Sequence, residues 1–169
     1  MVITPQVFGD HRGYFKETFR DLSFQELGLP TFIQENESRS KAGVLRGLHY
    51  QLNPAPLAKL VRCVRGAIFD VAVDIRKSSP TYGQWHGIEL SEENHKMFLV
   101  PEGFAHGFVT LTDDTIIVYK QSGYYAPEHE RGILWNDPAL DIGWPIKQPV
   151  LSDKDKLALS LADAENNFD

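Results

Sequence analysis

The chain is predicted to be an all-β domain, a sandwich or barrel. Three observations carry this: strand-like runs dominate, regular turns separate them, and helix signals are confined to two short stretches. Lys59–Val64, Ala67–Ile75, His86–Leu90, Lys96–Val100, Gly107–Leu111 and Thr115–Gln121 are short β-branched or aromatic runs. The turns between them are Arg65-Gly66, Ser78-Ser79-Pro80, Ser91-Glu92-Glu93-Asn94, Pro101-Glu102-Gly103 and Asp113-Asp114.

Taken in chain order, Asp21–Gly28 reads as a short helix stopped by its glycine. In Asp70-Val-Ala-Val-Asp74 the alternation is less plain. Asp70, Ala72 and Asp74 share one face of a strand, which points either to solvent or into a polar lumen. Ile133–Pro149, rich in proline and tryptophan without periodicity, predicts an ordered aromatic loop. Ser152-Asp-Lys-Asp155 fits a capping box and predicts a helix continuing to about Ala164.

At 169 residues, with ten Phe, six Tyr and three Trp, the chain has the mass for one full-sized core, and residues 1–169 read as a single domain. A net charge of -6 argues against general nucleic-acid binding, though it leaves room for a local cationic cluster that binds one small anion. Cys63, the only cysteine, excludes an internal disulfide and reads as an inert buried thiol. No apolar run reaches membrane-spanning length and no signal-peptide pattern opens the chain, so a cytoplasmic protein with no membrane partner is expected.

Two segments carry the chemistry. Gly43-Val-Leu-Arg-Gly-Leu-His-Tyr-Gln51 and Pro101-Glu-Gly-Phe-Ala-His-Gly-Phe108 each deliver one histidine, His49 and His106, from a glycine-rich turn beside a β-run. The second fits Pro-x-Gly-x-x-His and resembles the later motif of the cupin barrels. The earlier cupin motif, His-x-His, is here His49-x-Gln51, and the metal-binding Glu expected a few residues on is absent; the next charged side chain is Lys59. The resemblance is therefore to a cupin that kept its pocket without its metal ligands, a setting for proton transfer by His and Lys.

A broader resemblance spans almost the whole chain. Phe8-Gly-Asp-His-Arg-Gly-Tyr-Phe15 with Glu17, Gln34-Glu-Asn36, Gly43–Gln51, Lys59-Leu-Val-Arg-Cys63 and Asp70-Val-Ala-Val-Asp-Ile-Arg76 open the series. Ser79-Pro-Thr81 with Gly83 and Trp85, Pro101–Phe108, Tyr119-Lys120, Gly132-Ile-Leu-Trp-Asn-Asp-Pro138 and Leu151-Ser-Asp-Lys-Asp155 complete it. In order and spacing they resemble the dTDP-4-dehydrorhamnose 3,5-epimerase family. Leu57 departs from the pattern, standing where many members have Gln, and the amino terminus starts close to the first motif. The resemblance implies a cupin jelly roll (a double-stranded β-helix) with a few short helices, one at the C-terminus. It also implies a homodimer, a dTDP-linked 4-dehydro-6-deoxyhexose as substrate, and no metal or other cofactor.

It assigns roles as well. A ketone at C4 acidifies the C3 and C5 protons, so epimerisation needs a base, an acid on the opposite side, and a donor at the enolate oxygen. The resemblance implies His49 as the base, paired with Asp155, and Tyr119 as the acid. Read without it, His49 is rather a hydrogen-bonded core histidine, Tyr119 a packed strand aromatic and Asp155 a capping residue. Lys59 is placed to stabilise the enolate oxygen; its alternative is an exposed strand lysine. His106 either positions the substrate, shares in oxyanion stabilisation, or is structural. Arg46 and Arg12 are candidates for the diphosphate, since guanidinium pairs with phosphate oxygens in a fork. In the family the segment that matches Arg12, Phe15 and Glu17 reaches the partner subunit's site, and Gln34 and Asn36 are further candidates for the nucleotide.

Three other readings compete: a narrower enzyme of this fold (a 3-only or 5-only epimerase, or a ketoisomerase), a metal cupin, and a non-catalytic sugar-binding jelly roll. His49 with Tyr119 favours epimerisation over isomerisation. The missing His-x-His and Glu argue against a metal cupin, which needs three or four protein ligands.

Overall fold

Strand β7 (Ala67–Asp74) is buried on both faces, which is why its sequence does not alternate cleanly. Ile68 and Ala72 turn into the space between two sheets, whereas Val71 and Val73 pack beneath the outer covering of one of them. The computed structural model describes residues 1–169 and builds two five-stranded antiparallel sheets around this arrangement. One has the order β1 (Val2–Ile3), β9 (Met97–Val100), β6 (Lys59–Arg65), β11 (Thr115–Gln121), β4 (Gln34–Ser40). The other runs β12 (Glu130–Gly132), β5 (Leu45–Gln51), β10 (Phe104–Thr110), β7, β8 (Trp85–Ser91). Neighbours such as β5 and β10, or β6 and β11, are far apart in the chain, the connectivity of a jelly roll. The sheets face each other without closing into a continuous barrel, and the predicted all-β fold stands.

Three apolar layers hold it. Val61, Ile117, Phe98, Val100 and Phe108 fill the space between the sheets. Leu48, Tyr50, Ile75 and Ala105 on the outer face of the second sheet are covered by Ile133, Leu140, Trp144 and Phe168. The predicted aromatic loop is this cover, pinned where Trp144 Nε1 donates to the Trp135 carbonyl at 2.8 Å. The outer face of the first sheet, Leu60, Met97 and Leu99, is covered by Phe24 of helix α1 (Asp21–Glu26) with Phe19 and Phe32 around it. Helix α1 ends as expected next to Gly28, whose φ of 70° a glycine adopts without strain.

The six predicted strands are all present, displaced by at most about three residues at their ends. The helix predicted to run from Ser152 to Ala164 is corrected to a single turn, α2 (Asp153–Lys156). After Leu157 the chain is drawn onto the second sheet: Leu159 bridges Ile133, and Leu161 and Ala164 pack against the outer layer, so tertiary burial overrides helix propensity there. A separate two-stranded hairpin, β2 (Val7–Asp10) with β3 (Gly13–Lys16), pairs with neither large sheet. No helix is long and apolar enough to cross a membrane.

Candidate active site

The two motif histidines come from strands, not from turns as the sequence suggested: His49 lies on β5 and His106 on β10, paired across the ladder. The turn-like glycines are there for close approach. Gly47 has φ 119°, and a Cβ on it would stand 2.6 Å from both Gly107 Cα and the His106 carbonyl oxygen. Only glycine lets β5 and β10 come this near, and the register breaks between His106 and Phe108 as a bulge would make it.

Each histidine has its own carboxylate. His49 Nε2 lies 2.5 Å from Asp155 Oδ1, and His106 Nε2 lies 2.6 Å from Asp70 Oδ1. Asp155 is buried in α2; its Oδ2 accepts from Ser152 Oγ at 2.7 Å, while its backbone N–H donates back to that hydroxyl at 3.1 Å. The capping box and the His–Asp pair therefore coexist, using different atoms of Asp155. Burial alone would raise the Asp155 pKa, but hydrogen bonds from His49, Ser152 and the Gly47 backbone hold it below the ordinary value. Asp70 is fully buried and faces the lumen; its Oδ2 has no hydrogen-bond partner.

The facing sheet supplies the other two groups. Lys59 and Tyr119 both turn inward from β6 and β11, Lys59 paired with Gln121 and Tyr119 with Val61. Lys59 is not an exposed strand lysine. Burial pushes its pKa down to about 8, against the opposing pull of Asp70 and Glu130, so the ammonium predominates at neutral pH and is lost in mild alkali. Burial raises the Tyr119 phenol, with Asn36 and Arg46 pulling the other way, so the proton is held at neutral pH.

His49, Lys59, His106, Tyr119 and Asp155 line one cavity of about 420 Å³, with Arg46 at its wall. A smaller space of about 110 Å³ continues past His49, Lys59, His106 and Tyr119 to Tyr125 and Glu130. Arg46 is steadied by Ser40 Oγ, 3.1 Å from its Nη2 and 3.3 Å from its Nε. No group of three or more His, Cys, Asp or Glu side chains is arranged to hold a metal ion.

Five of the sequence-predicted residues are thus brought together, with Arg46 beside them. Gln34 and Asn36 lie on β4, half-buried, in a chain of amides: Gln34 Nε2 donates to Asn36 Oδ1 at 3.0 Å, and Asn36 Nδ2 to Gln121 Oε1 at 2.8 Å. Arg12, Phe15 and Glu17 are not brought to the cavity of their own chain. Arg12 pairs with Asp10 at 2.5 Å at the hairpin tip, Glu17 pairs with Arg20 at 2.7 Å, and Phe15 is exposed. Sequence reasoning passed over Ser38, Ser152, Glu130 and Lys154. Glu130 accepts from Tyr125 Oη at 2.6 Å and forms an ion pair with Lys154 at the rim beside His49. Lys154 could have been found, since it adjoins Asp155 in the motif; Glu130 carries no local signal.

The geometry can be set beside known proteins. The family model of dTDP-4-dehydrorhamnose 3,5-epimerase matches residues 1–163. A dTDP-4-dehydrorhamnose 3,5-epimerase of Shigella flexneri is 53% identical over 167 residues, covering 98% of this chain and 92% of that protein. A dTDP-4-dehydrorhamnose 3-epimerase of Streptomyces niveus is 43% identical over 166 residues, covering 97% and 80%. The crystal structure of a dTDP-6-deoxy-D-glucose-3,5-epimerase from Legionella pneumophila Philadelphia 1, in complex with dTDP-4-keto-L-rhamnose, superposes with a TM-score of 0.93 at 48% identity, covering 96% of this chain and 87% of that one. The chain belongs to the dTDP-4-dehydrorhamnose 3,5-epimerase family of isomerases.

Proposed function

We propose that the protein converts dTDP-4-dehydro-6-deoxy-D-glucose to dTDP-4-dehydro-L-rhamnose by inverting C3 and C5 in turn. The observation that carries this is the placement of His49, backed by Asp155, on one sheet and Tyr119 with Lys59 on the sheet facing it, around one cavity. A sugar ring lying between the sheets presents one face to each wall.

Neutral His49 takes the proton from C3 or C5, and the C–H electron pair moves to the C4 oxygen as an enolate. Asp155 fixes the ring and stabilises the imidazolium, as the carboxylate of a Ser-His-Asp triad does. The Lys59 ammonium, and His106 held by Asp70, stabilise the enolate oxygen in a setting shielded from bulk water. Tyr119 then delivers its proton to the opposite face of the carbon, inverting it. Return of a proton from solvent to Tyr119 and loss of one from His49 reset the pair for the second carbon.

Arg46 is the candidate diphosphate ligand, and Gln34 and Asn36 those for the nucleotide. Arg12, Phe15 and Glu17 serve the cavity of a second copy in a homodimer, which accounts for an exposed hairpin bearing Phe8 and Phe15. Residues 1–169 act as one catalytic domain, without a metal or other cofactor. A buried, unbridged Cys63 suits a cytoplasmic setting.

The test is solvent-deuterium incorporation by NMR on chelator-treated enzyme with dTDP-4-dehydro-6-deoxy-D-glucose. Label at both C3 and C5 supports the proposal. Label at one carbon means a narrower epimerase, and no label with ligand bound means a binding protein.

A further inference from the structure

The β2–β3 hairpin has two unlike faces. Phe8 pairs with Phe15, while Val7 pairs with Lys16 and Gly9 with Tyr14, so Tyr14 and Lys16 share the face opposite the two phenylalanines. Phe8 and Phe15 point away from the body and are 56% and 68% exposed. The other face meets His95, in the turn between β8 and β9. Lys16 Nζ lies 2.8 Å from His95 Nδ1, the Tyr14 ring lies 4.9 Å from the His95 ring at a tilt of 53°, and Lys16 Nζ sits 5.2 Å over the Tyr14 ring.

Lys16 has no carboxylate within ion-pairing distance, and partial burial, with Arg62 nearby, disfavours its charge. His95 Nδ1 is the only side-chain acceptor it has.

The platform that offers this acceptor is rigid. Asn94 Oδ1 accepts from the backbone N–H groups of Ser91 and Lys96 at 3.1 and 3.0 Å, and Asn94 Nδ2 donates to the Glu89 carbonyl at 2.9 Å. Ser91 Oγ accepts from Asn94 N at 3.1 Å, and the Ser91 carbonyl accepts from His95 N at 3.2 Å. His95 itself stands at φ 56°, in the left-handed region that few side chains enter. A hairpin that pairs with no other strand is marginal alone and takes its direction from whatever it leans on.

We propose that His95 is a positioning residue for the reaction: through Lys16 and Tyr14 it fixes the angle of the β2–β3 arm, and so where Arg12, Phe15 and Glu17 are delivered. This rests on the reading that the arm serves the cavity of a second copy. His95 touches no substrate; it sets the entropy that the arm must lose when substrate binds.

The experiment is steady-state kinetics on the full-length protein with His95→Ala, Arg12→Ala and the double variant, together with hydrogen exchange over residues 7–16. His95→Ala raises KM about tenfold and leaves kcat within about twofold, the pattern of lost binding rather than lost chemistry. It speeds exchange in residues 7–16 alone. The double variant raises KM by less than the product of the two single effects, because part of what His95 aims is the Arg12 guanidinium, the rest being Phe15 and Glu17. His95→Asn, which keeps the left-handed preference and loses the ring, gives the same KM rise with an unchanged Tm. If Arg12→Ala raises KM while both His95 variants match the wild type in KM and exchange, the anchoring role is overturned and the arm reading survives. If Arg12→Ala leaves KM unchanged, the arm reading fails and takes this proposal with it.

Discussion

His49 and His106 occupy paired positions on β5 and β10, and each ring is held through Nε2 by a separate buried carboxylate, Asp155 at 2.5 Å and Asp70 at 2.6 Å. The two pairs differ in what the carboxylate can still do. Asp155 has both oxygens occupied, by His49 and Ser152, whereas Asp70 keeps one oxygen unpaired near Lys59. The His49 pair is built to hold a ring still. The His106 pair puts a negative charge where it helps keep Lys59 protonated.

Replacing the base separates fold from chemistry. His49→Ala is expected to lower kcat by roughly 10²- to 10⁴-fold, the usual contribution of a general base, with the circular dichroism spectrum retained. Asp155→Asn keeps a hydrogen-bonding partner but not the charge that stabilises the imidazolium, and is expected to cost about tenfold to a hundredfold in kcat with KM little changed. Rates like the wild type for His49→Ala would remove the base assignment.

Tyr119 faces the cavity from the opposite sheet, and its phenol keeps its proton at neutral pH because burial raises it. Tyr119→Phe leaves the base in place and removes the acid. Deuterium should still wash in at C3 or C5 while formation of the epimerised product falls by about 10²-fold or more. Loss of all exchange in this variant would count against Tyr119 as the acid.

How far the sequence goes is seen in β4 and β6. Lys59–Val64 was legible as a strand-like apolar run because Leu60 on one face and Val61 and Cys63 on the other all pack into apolar layers. Gln34–Ser40 was not, because its inward residues, Gln34, Asn36, Ser38 and Ser40, face a polar lumen, and its outward ones, Glu35, Glu37 and Arg39, face solvent. A wet interior erases the hydrophobic period on which such reading depends. Likewise Asp155 looked like a choice between cap and histidine partner, when Oδ1 meets His49 while Oδ2 and the backbone N–H meet Ser152. The arm from Arg12 to Glu17 stands clear of the chain's own cavity, so the binding role that its motif implies has no counterpart in the fold of a single chain.

Lys59 gives a pH dependence with a definite sign. Its folded pKa, about 8, lies below the unfolded value of 10.5. If the ammonium stabilises the enolate, turnover falls as pH rises through about 8. Stability moves the other way: between these two values the unfolded chain binds more protons than the folded one, so folding stability from this group rises with pH over that window. Rate and Tm measured together from pH 7 to pH 10 should therefore diverge at their alkaline end. Lys59→Arg keeps its charge and should lose the alkaline fall, whereas Lys59→Met should lose the fall and about 10²-fold in kcat. An alkaline limb unchanged in Lys59→Met would assign it elsewhere.

Asp74 makes the converse prediction, of stability without chemistry. It is fully buried at the end of β7, outside the cavity that His49 and Tyr119 line. Its Oδ1 accepts from Arg76 N at 3.0 Å and Nε at 2.9 Å; its Oδ2 accepts from Arg76 Nη2 at 2.7 Å, and from Ser79 Oγ and Thr81 Oγ1 at 2.6 Å each. The Ser79-Pro-Thr81 motif is thus a brace for a carboxylate. Burial alone would raise the Asp74 pKa, but these hydrogen bonds carry it well below the ordinary carboxylate range. A depressed carboxylate contributes stability that is full above its unfolded value of 3.8 and is lost as pH falls towards the folded one. Asp74→Asn exchanges an acceptor for an amide that cannot accept from all of these donors, so a buried side chain meets partly exposed Arg76, Ser79 and Thr81 with a donor where they need an acceptor. We expect a loss of about 2–4 kcal/mol, a fall in Tm of roughly 5–15 °C, and less acid sensitivity below pH 4 than the wild type. KM and kcat at 25 °C should stay within about twofold, because none of these groups touches the cavity. A variant with wild-type Tm and a changed KM would mean that the motif serves the substrate and not the fold.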